Sequence, residues 1–380
     1  MMMRDTDDSV RTFRATVRKL VADKVEPHAQ SVDEEARFPE ESYEALANAG
    51  ILALAYPEKW GGQQADLLTQ VVAVEEIAAA CSTTALSVFA TWAGLDAALV
   101  AGSPELLEEI VPGAVSGQTL VSFCLTEPRS GSDLAGLTTS AVRHGSDWVL
   151  NGTKRFITNG GRSDWYAVLA RTGDQQYGVF MVDRDQEGVS FGALEKKMGH
   201  RGSPTSDVIL DDVRVPAYRV VGDGTNGYRC MMNSLTYTRP IIAAQAIGIA
   251  QGALDASVRY IRERTAFGSS VADFQLVKGL VADMAVKVES SRAVLYRAIP
   301  LAEKNDESAR GATSMAKLLA TDTAMAVTTD AVQLLGGYGY LQDYPVERMM
   351  RDAKITQIYE GTNQIHRLLI AKQVYRDTPR

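Results

Sequence analysis

Apolar positions recur at helical spacing over Val10, Phe13, Val17, Leu20 and Val21, and Ala- and Leu-rich stretches of the same period run through Tyr43–Ala55 and Leu67–Ala80. The first third is therefore predicted to be helical. From about Leu120 the texture changes to short apolar runs between turn residues, at Leu120–Leu125, Trp148–Leu150, Trp165–Leu169, Tyr177–Val182 and Val208–Val213, which reads as strands. Asn151-Gly152 separates Trp148–Leu150 from Lys154–Ile157. That dipeptide suits the two positive φ values of a type I′ turn, so a hairpin is expected there. After Gly227 the helical period returns through Ile241–Thr265, Asp273–Lys304, Ala312–Leu335 and Val346–Tyr359, four long segments that predict a bundle. No internal repeat or low-complexity tract interrupts the sequence. The expected organisation is a helical domain over 1–119, a compact β domain over 120–224 and a helical bundle over 225–380, mainly α with a β insert.

Composition narrows the function classes. A chain of 380 residues with 46% hydrophobic and 23% charged residues is globular. Its formal charge is -8 and its basic residues are scattered, so nucleic acid is not an expected partner. Cys81, Cys124 and Cys230 stand far apart without a C-x-x-C pattern, which fits buried, inert thiols in a reducing compartment and no metal site. Met1–Val10 carries Asp5, Asp7 and Asp8 and no apolar run, so neither a signal nor a transit peptide is expected. The longest apolar stretch, Ile241–Ala250, is broken by Gln245 and reads as too short for a bilayer. The expectation is a cytoplasmic protein without membrane contact.

Gly222-Asp-Gly224-Thr-Asn-Gly227 matches G-x-G-x-x-G. Pro216 and Ala217–Val221 separate it from the last strand read, no βαβ alternation surrounds it, and no acid lies near 247, so it reads as a structural loop. His28, His144, His200 and His366 are far apart, with no H-E-x-x-H and no G-x-S-x-G, which leaves hydrolase chemistry unsupported. His366 alone reads as a surface or packing residue. What remains is a set of Gly-, Ser- and Thr-rich loops at Thr126–Asp133, Ile157–Gly161, Arg201–Ser203 and Tyr359–Gln364. Such loops suit a polar, phosphate-bearing cofactor, and turn chemistry alone selects the same residues. Glu360 stands out because Gly361 would end the preceding helix and set the acid on a bend; a helix-capping role and a base are equally compatible with that placement.

Taken together and in order, these segments strongly resemble the acyl-CoA dehydrogenase family. They are Leu125-Thr-Glu-Pro-Arg-Ser-Gly-Ser-Asp133, Asn151-Gly-Thr-Lys-Arg-Phe-Ile-Thr-Asn-Gly160, Met198-Gly-His-Arg-Gly-Ser203, Arg264-Thr-Ala-Phe-Gly268, Phe274-Gln275, Asp330-Ala-Val-Gln-Leu-Leu-Gly-Gly337 and Ile358-Tyr-Glu-Gly-Thr362. The resemblance implies an N-terminal helical domain, a middle β-barrel-like domain and a C-terminal four-helix bundle, assembled as a homotetramer that binds FAD. It implies that Thr126 and Ser132 contact the flavin and thioester region, and that Phe156, where many relatives carry Trp, lies with Thr158 along the isoalloxazine. Arg264, Phe267, Gln275, Gln333 and Gly337 would bind the adenine and pyrophosphate end of a neighbouring subunit's FAD; Thr362 and Gln364 would hold FAD from the same subunit. Ser132, Arg239 and Gly361 would bind substrate.

The reaction so implied is α,β-dehydrogenation of an acyl thioester, with Glu360 removing the α-proton, flavin N5 accepting the β-hydride, and an electron-transfer flavoprotein as the next carrier. In this family the donors to the thioester carbonyl are the base's own peptide N–H and a ribityl hydroxyl. Some relatives place the base beside the equivalent of Arg239, but Leu235-Thr-Tyr-Thr-Arg239 holds no carboxylate. Thr236 stands where CoA-using members usually carry Asp, so an acyl-carrier-protein thioester is an alternative substrate to acyl-CoA. A non-catalytic scaffold is the alternative from another class. Chain length and branching of the acyl group stay open.

Overall fold

The computed structural model describes residues 8–378; the acidic positions Asp5 and Asp7 lie outside the described residues. The N-terminal part folds as α1 (Asp8–Lys24), α2 (Ala29–Glu34), α3 (Glu40–Asn48), α4 (Leu67–Ala80), α5 (Ser82–Ala101) and α6 (Pro104–Ser116). The period read through Tyr43–Ala55 is not one helix. It breaks after Asn48, where Gly50 takes φ 77°, and resumes as a short 3₁₀ turn at Leu52–Ala55. Asp66 starts α4 by accepting the Thr69 N–H at 2.8 Å.

The β domain comprises β1 (Val121–Cys124), β2 (Ser140–His144), β3 (Asp147–Thr158), β4 (Trp165–Gly173), β5 (Gln176–Asp183), β6 (Val189–Phe191), β7 (Thr205–Val215) and β8 (Val220–Val221). They form one mixed sheet in the order β6-β7-β3-β2-β4-β5-β8, with β1 added parallel to β4. β4 is buried on both faces. Tyr166, Val168 and Ala170 join Leu150, Phe180 and Val208 in a core inside the β domain, while Trp165, Ala167 and Leu169 face the helices. That two-sided burial explains its unbroken apolar run.

The expected hairpin at Asn151-Gly152 does not form, because β3 runs straight through it. The β2–β3 turn is instead the Gly145-Ser146 loop, with Gly145 at φ 67°. Opposite Asn151 the partner strand β7 carries an extra residue, where Asp212 takes φ 52° and exchanges two 2.9 Å hydrogen bonds with the Asn151 side chain. A second bulge follows on β3 itself, between Lys154 and Ile157, and contains Phe156 at φ 58°. Before the first bulge Leu150 pairs with Val213; between the two Lys154 pairs with Val208; after the second Ile157 pairs with Ser206. One strand's extra residue is cancelled by the other's.

The C-terminal part contains α7 (Gly227–Glu263), α8 (Gln275–Glu303), α9 (Ala309–Leu335), α10 (Pro345–Thr356) and α11 (Asn363–Asp377), with a small hairpin, β9 (Thr265–Ala266) and β10 (Ser269–Ser270), before α8. The fourth helix expected over Val346–Tyr359 stops at Thr356, and α11 is an element the periodicity did not reveal. Ile241–Ala250 lies within α7, so its apolar character is not confined to a short stretch. α5 and α7 are both long and apolar enough to cross a membrane, but both are mostly buried inside this protein. Before Gly222 a strand, β8, does stand, contrary to the sequence reading. It is two residues long and antiparallel to β5, and Asp223 turns back on Thr225 at 2.8 Å, so the segment remains a loop without a parallel βαβ unit.

Candidate active site

Beyond α10 the chain turns through Gln357–Tyr359 and places Glu360 and Gly361 in consecutive left-handed conformations, φ 56° and 95°. For a non-glycine residue this costs about 1–2 kcal/mol and persists only where surroundings enforce it. The Lys317 ammonium on α9 donates to the Gly361 carbonyl at 2.7 Å and to Asn363 Oδ1 at 3.1 Å. His366 Nε2, on α11, lies 3.2 Å from the Glu360 carbonyl, and a Cβ on Gly361 would come within 3.0 Å of that nitrogen. Asn363 is held in turn by Thr321 and Asp322 of α9, at 2.9 and 2.8 Å. The Thr362 hydroxyl caps α11 by accepting the Ile365 N–H at 3.3 Å, and Gln364 is exposed in that helix's first turn.

The Glu360 carboxylate is half-buried and accepts the Thr238 hydroxyl of α7 at 3.0 Å. Burial pushes its pKa up, against the opposing pull of Thr238, Arg239 and Lys317. Arg239 is 4% exposed with Nε and Nη1 unpartnered, and burial pushes it down to about 10. His366 is fully buried and, through that burial and the cations Arg239 and Lys317, falls to about 3. It is neutral, and the carbonyl it faces assigns the proton to Nε2. The Glu360 peptide N–H donates to no other group among the described residues. The preceding Tyr359 is fixed by its hydroxyl's 2.6 Å bond to Gln245, whose amide reaches Ser82, itself 2.8 Å from His200 Nε2. The Met198–Ser203 motif thus ties β domain, N-terminal helices and bundle together behind the base.

On the β side, Thr126 follows β1, with its carbonyl accepting the Arg155 N–H at 2.8 Å. Ser132 is exposed on the loop beyond, and the Thr158 carbonyl at the end of β3 accepts the Ser122 hydroxyl at 2.6 Å. The bulge turns Phe156 outward, 58% exposed, with the Arg155 guanidinium 4.4 Å from its ring centroid. The loop is anchored by the buried pair Lys154–Glu127 at 2.8 Å; Glu127 also accepts the N–H groups of Thr138 and Thr139 at 2.7 and 3.0 Å. Burial raises the Glu127 carboxyl, but Lys154 and these hydrogen bonds outweigh it and hold it at about 2. A depressed carboxylate stabilises the fold above its ordinary pKa of 4.5 and loses that contribution as pH falls towards 2. Acid melts of the wild type should therefore steepen across that window, and Glu127→Gln, already weaker at neutral pH, should lack this part of the slope.

The remaining residues lie elsewhere. Arg264 follows α7 with its guanidinium 5.5 Å from the Tyr338 ring, beside Gly337. Phe267, 98% exposed, and Gly268 form a type I′-like turn between β9 and β10, at φ 52° and 79°. Gln275 opens α8 and Gln333 nears the end of α9, both exposed. Gln333 stands sixteen residues beyond Lys317 on the same helix, about 24 Å along its axis. One chain's two groups of residues therefore cannot hold the same end of one flavin.

Three family models match along the chain: the N-terminal, middle and C-terminal domains of acyl-CoA dehydrogenase, over residues 7–118, 122–213 and 225–375. The chain belongs to the acyl-CoA dehydrogenase family. It is 44% identical over 368 residues to a probable acyl-CoA dehydrogenase of Mycobacterium leprae, covering 96% of this chain and 95% of that protein. It is 42% identical over 379 residues to the cyclohexane-1-carbonyl-CoA dehydrogenase of Geobacter metallireducens, covering 99% and 100%. Among solved structures, butyryl-CoA dehydrogenase from Megasphaera elsdenii matches with a TM-score of 0.94 and 34% identity over 99% and 100% of the two chains. A glutaryl-CoA dehydrogenase of Mycobacterium smegmatis in complex with FADH2 matches at 0.91 and 30%, over 98% and 96%.

The acyl-CoA dehydrogenases are FAD-dependent oxidoreductases, and the residues of this member suit that cofactor. Phe156 offers an exposed ring, Gly131, Gly336 and Gly337 have open space where a side chain would project, and Arg264 offers a planar fork for phosphate oxygens. Thr238, Lys317 and His366 are the functional neighbours that sequence reasoning missed. Thr238 lies in a segment where the sequence draws attention to Thr236 and Arg239 instead, and a lone His such as His366 reads as a surface or packing residue. Lys317 gave no signal in an Ala-rich helix.

Proposed function

We propose that this acyl-CoA dehydrogenase oxidises the α,β-carbon pair of an acyl-CoA, with Glu360 as the base. The observation that carries the reading is the backbone at 360–361. It sets a half-buried carboxylate and an unpartnered peptide N–H on one strained bend, so that the carboxylate can take the α-proton while the N–H polarises the thioester carbonyl. FAD, when bound, supplies the hydride acceptor. Thr126, Ser132, Phe156 and Thr158 would hold its flavin, with Thr362 and Gln364 of the same subunit; Thr362 would contribute mainly backbone, since its hydroxyl is engaged in the cap. Arg264, Phe267, Gln275, Gln333 and Gly337 would hold the adenine end in a neighbour. Ser132, Arg239 and Gly361 would bind the substrate.

A cytoplasmic location and a homotetramer that passes electrons to an electron-transfer flavoprotein complete the proposal; the assembly is supported by family membership and by the exposure of Phe267 and Arg264. The test is anaerobic flavin bleaching with butyryl-, glutaryl-, cyclohexane-1-carbonyl-, branched and aromatic acyl-CoAs, and with an acyl-carrier protein. Bleaching by one or more CoA thioesters is expected. Bleaching by the carrier-protein thioester alone would move the reading to the biosynthetic alternative, and a protein isolated without flavin would sink both.

A further inference from the structure

Lys317 is fully buried on α9, yet among the described residues it makes no ion pair; its ammonium points at backbone and amide oxygens of the segment that carries Glu360. A buried lysine in an Ala-rich helix is costly to keep charged, and burial brings this one down to about 7 while Glu360 pulls the other way. The groups facing Glu360 can be named from each element. α7 contributes Thr238 and Arg239, with Arg310 of α9 beyond Arg239; α9 contributes Lys317; α11 contributes His366; the bend itself contributes Tyr359. Arg239 stays charged across the working range, His366 stays neutral, and the Tyr359 phenol stays protonated as donor to Gln245.

Taking Glu360 as the base, as above, we propose that Lys317 is its positioning residue: the ammonium pins the Gly361 carbonyl, fixing the left-handed bend, and its charge keeps the neighbouring carboxylate ionised once an apolar acyl chain displaces water from beside it. Because Lys317 grips the main chain and not the carboxylate, and Thr238 engages only Oε2, the Glu360 Oε1 stays free to accept the proton.

The test compares Lys317→Met, Lys317→Gln and Lys317→Arg. Gln can still donate to the Gly361 carbonyl without charge, and it carries the same readout should Met fail to fold. Protonation of Glu360 is followed by the infrared carboxyl band that each protein loses on Glu360→Gln, and in parallel by the acid limb of flavin bleaching with the acyl-CoA that wild type reduces fastest. For Met and Gln the midpoint of both is expected to rise by about one pH unit, with FAD content unchanged; for Arg it should stay within a few tenths of wild type while bleaching slows. An unmoved midpoint in the uncharged variants overturns the proposal. Wild-type bleaching by Glu360→Gln would instead remove the base itself, a separate failure.

Discussion

Replacing Glu360 with Gln is expected to leave a yellow, thioester-binding protein whose flavin is reduced about 10³- to 10⁴-fold more slowly. The amide is nearly isosteric, so the bend, the 3.0 Å approach of Thr238 and the Lys317 contact at Gly361 should persist. What disappears is the proton acceptor. The segment Leu235–Arg239 of α7 beside it holds no carboxylate to take over. A spectral titration that still shows ligand bound, combined with a stopped-flow trace that fails to bleach, is the expected pair of results. Bleaching at the wild-type rate would hand the base to some other group.

The second large effect concerns stability. Glu75 of α4 is buried and takes both Nε and Nη2 of Arg292 on α8, at 2.9 and 2.7 Å, while Arg14 of α1 approaches it at 3.3 Å. Arg292 also donates to Gln251 of α7 at 3.1 Å, so one carboxylate ties four helices at the back of the bundle. Glu75→Ala leaves the cluster of Arg14, Arg18 and Arg292 one counter-charge short, with Glu76 still on Arg14 and Glu289 still on Arg292, a loss of about 2–3 kcal/mol, or a Tm drop of about 3 °C in a chain of this size. The double variant Glu75→Met, Arg292→Met should recover much of that loss, because the cost lies in the unmatched charge more than in the missing bond. A single variant that melts with wild type would show the network to be dispensable.

Much of this architecture was legible from local pattern. The β insert, the return of helix after Gly227 and the prominence of Glu360 all follow from periodicity and turn chemistry within a few residues. The errors share one cause. Asn151-Gly152 is an excellent turn former, but its neighbours on both sides are wanted in one strand by the core around Leu150 and Ile157, and an extra residue on β7 absorbed the irregularity instead. Likewise α10 stops at Thr356 because the bend at 360–361 is held by α9 and α11, contacts that span 44 residues in the case of Lys317. A lysine in such a helix ordinarily reads as a solvated face. Nothing near it in sequence reveals that its partner is a peptide carbonyl on another element.

The paired irregularities in β3 and β7 have an arithmetic consequence. Strand length here behaves like parity: Lys154 meets Val208 only in the stretch between the two bulges, and Ile157 recovers the original phase only because the additions balance. A one-residue deletion near Phe156 would thus invert which side of the sheet each later residue occupies, and only a compensating deletion at Asp211 or Asp212 would set it right. Length variation in these two strands must come in matched steps.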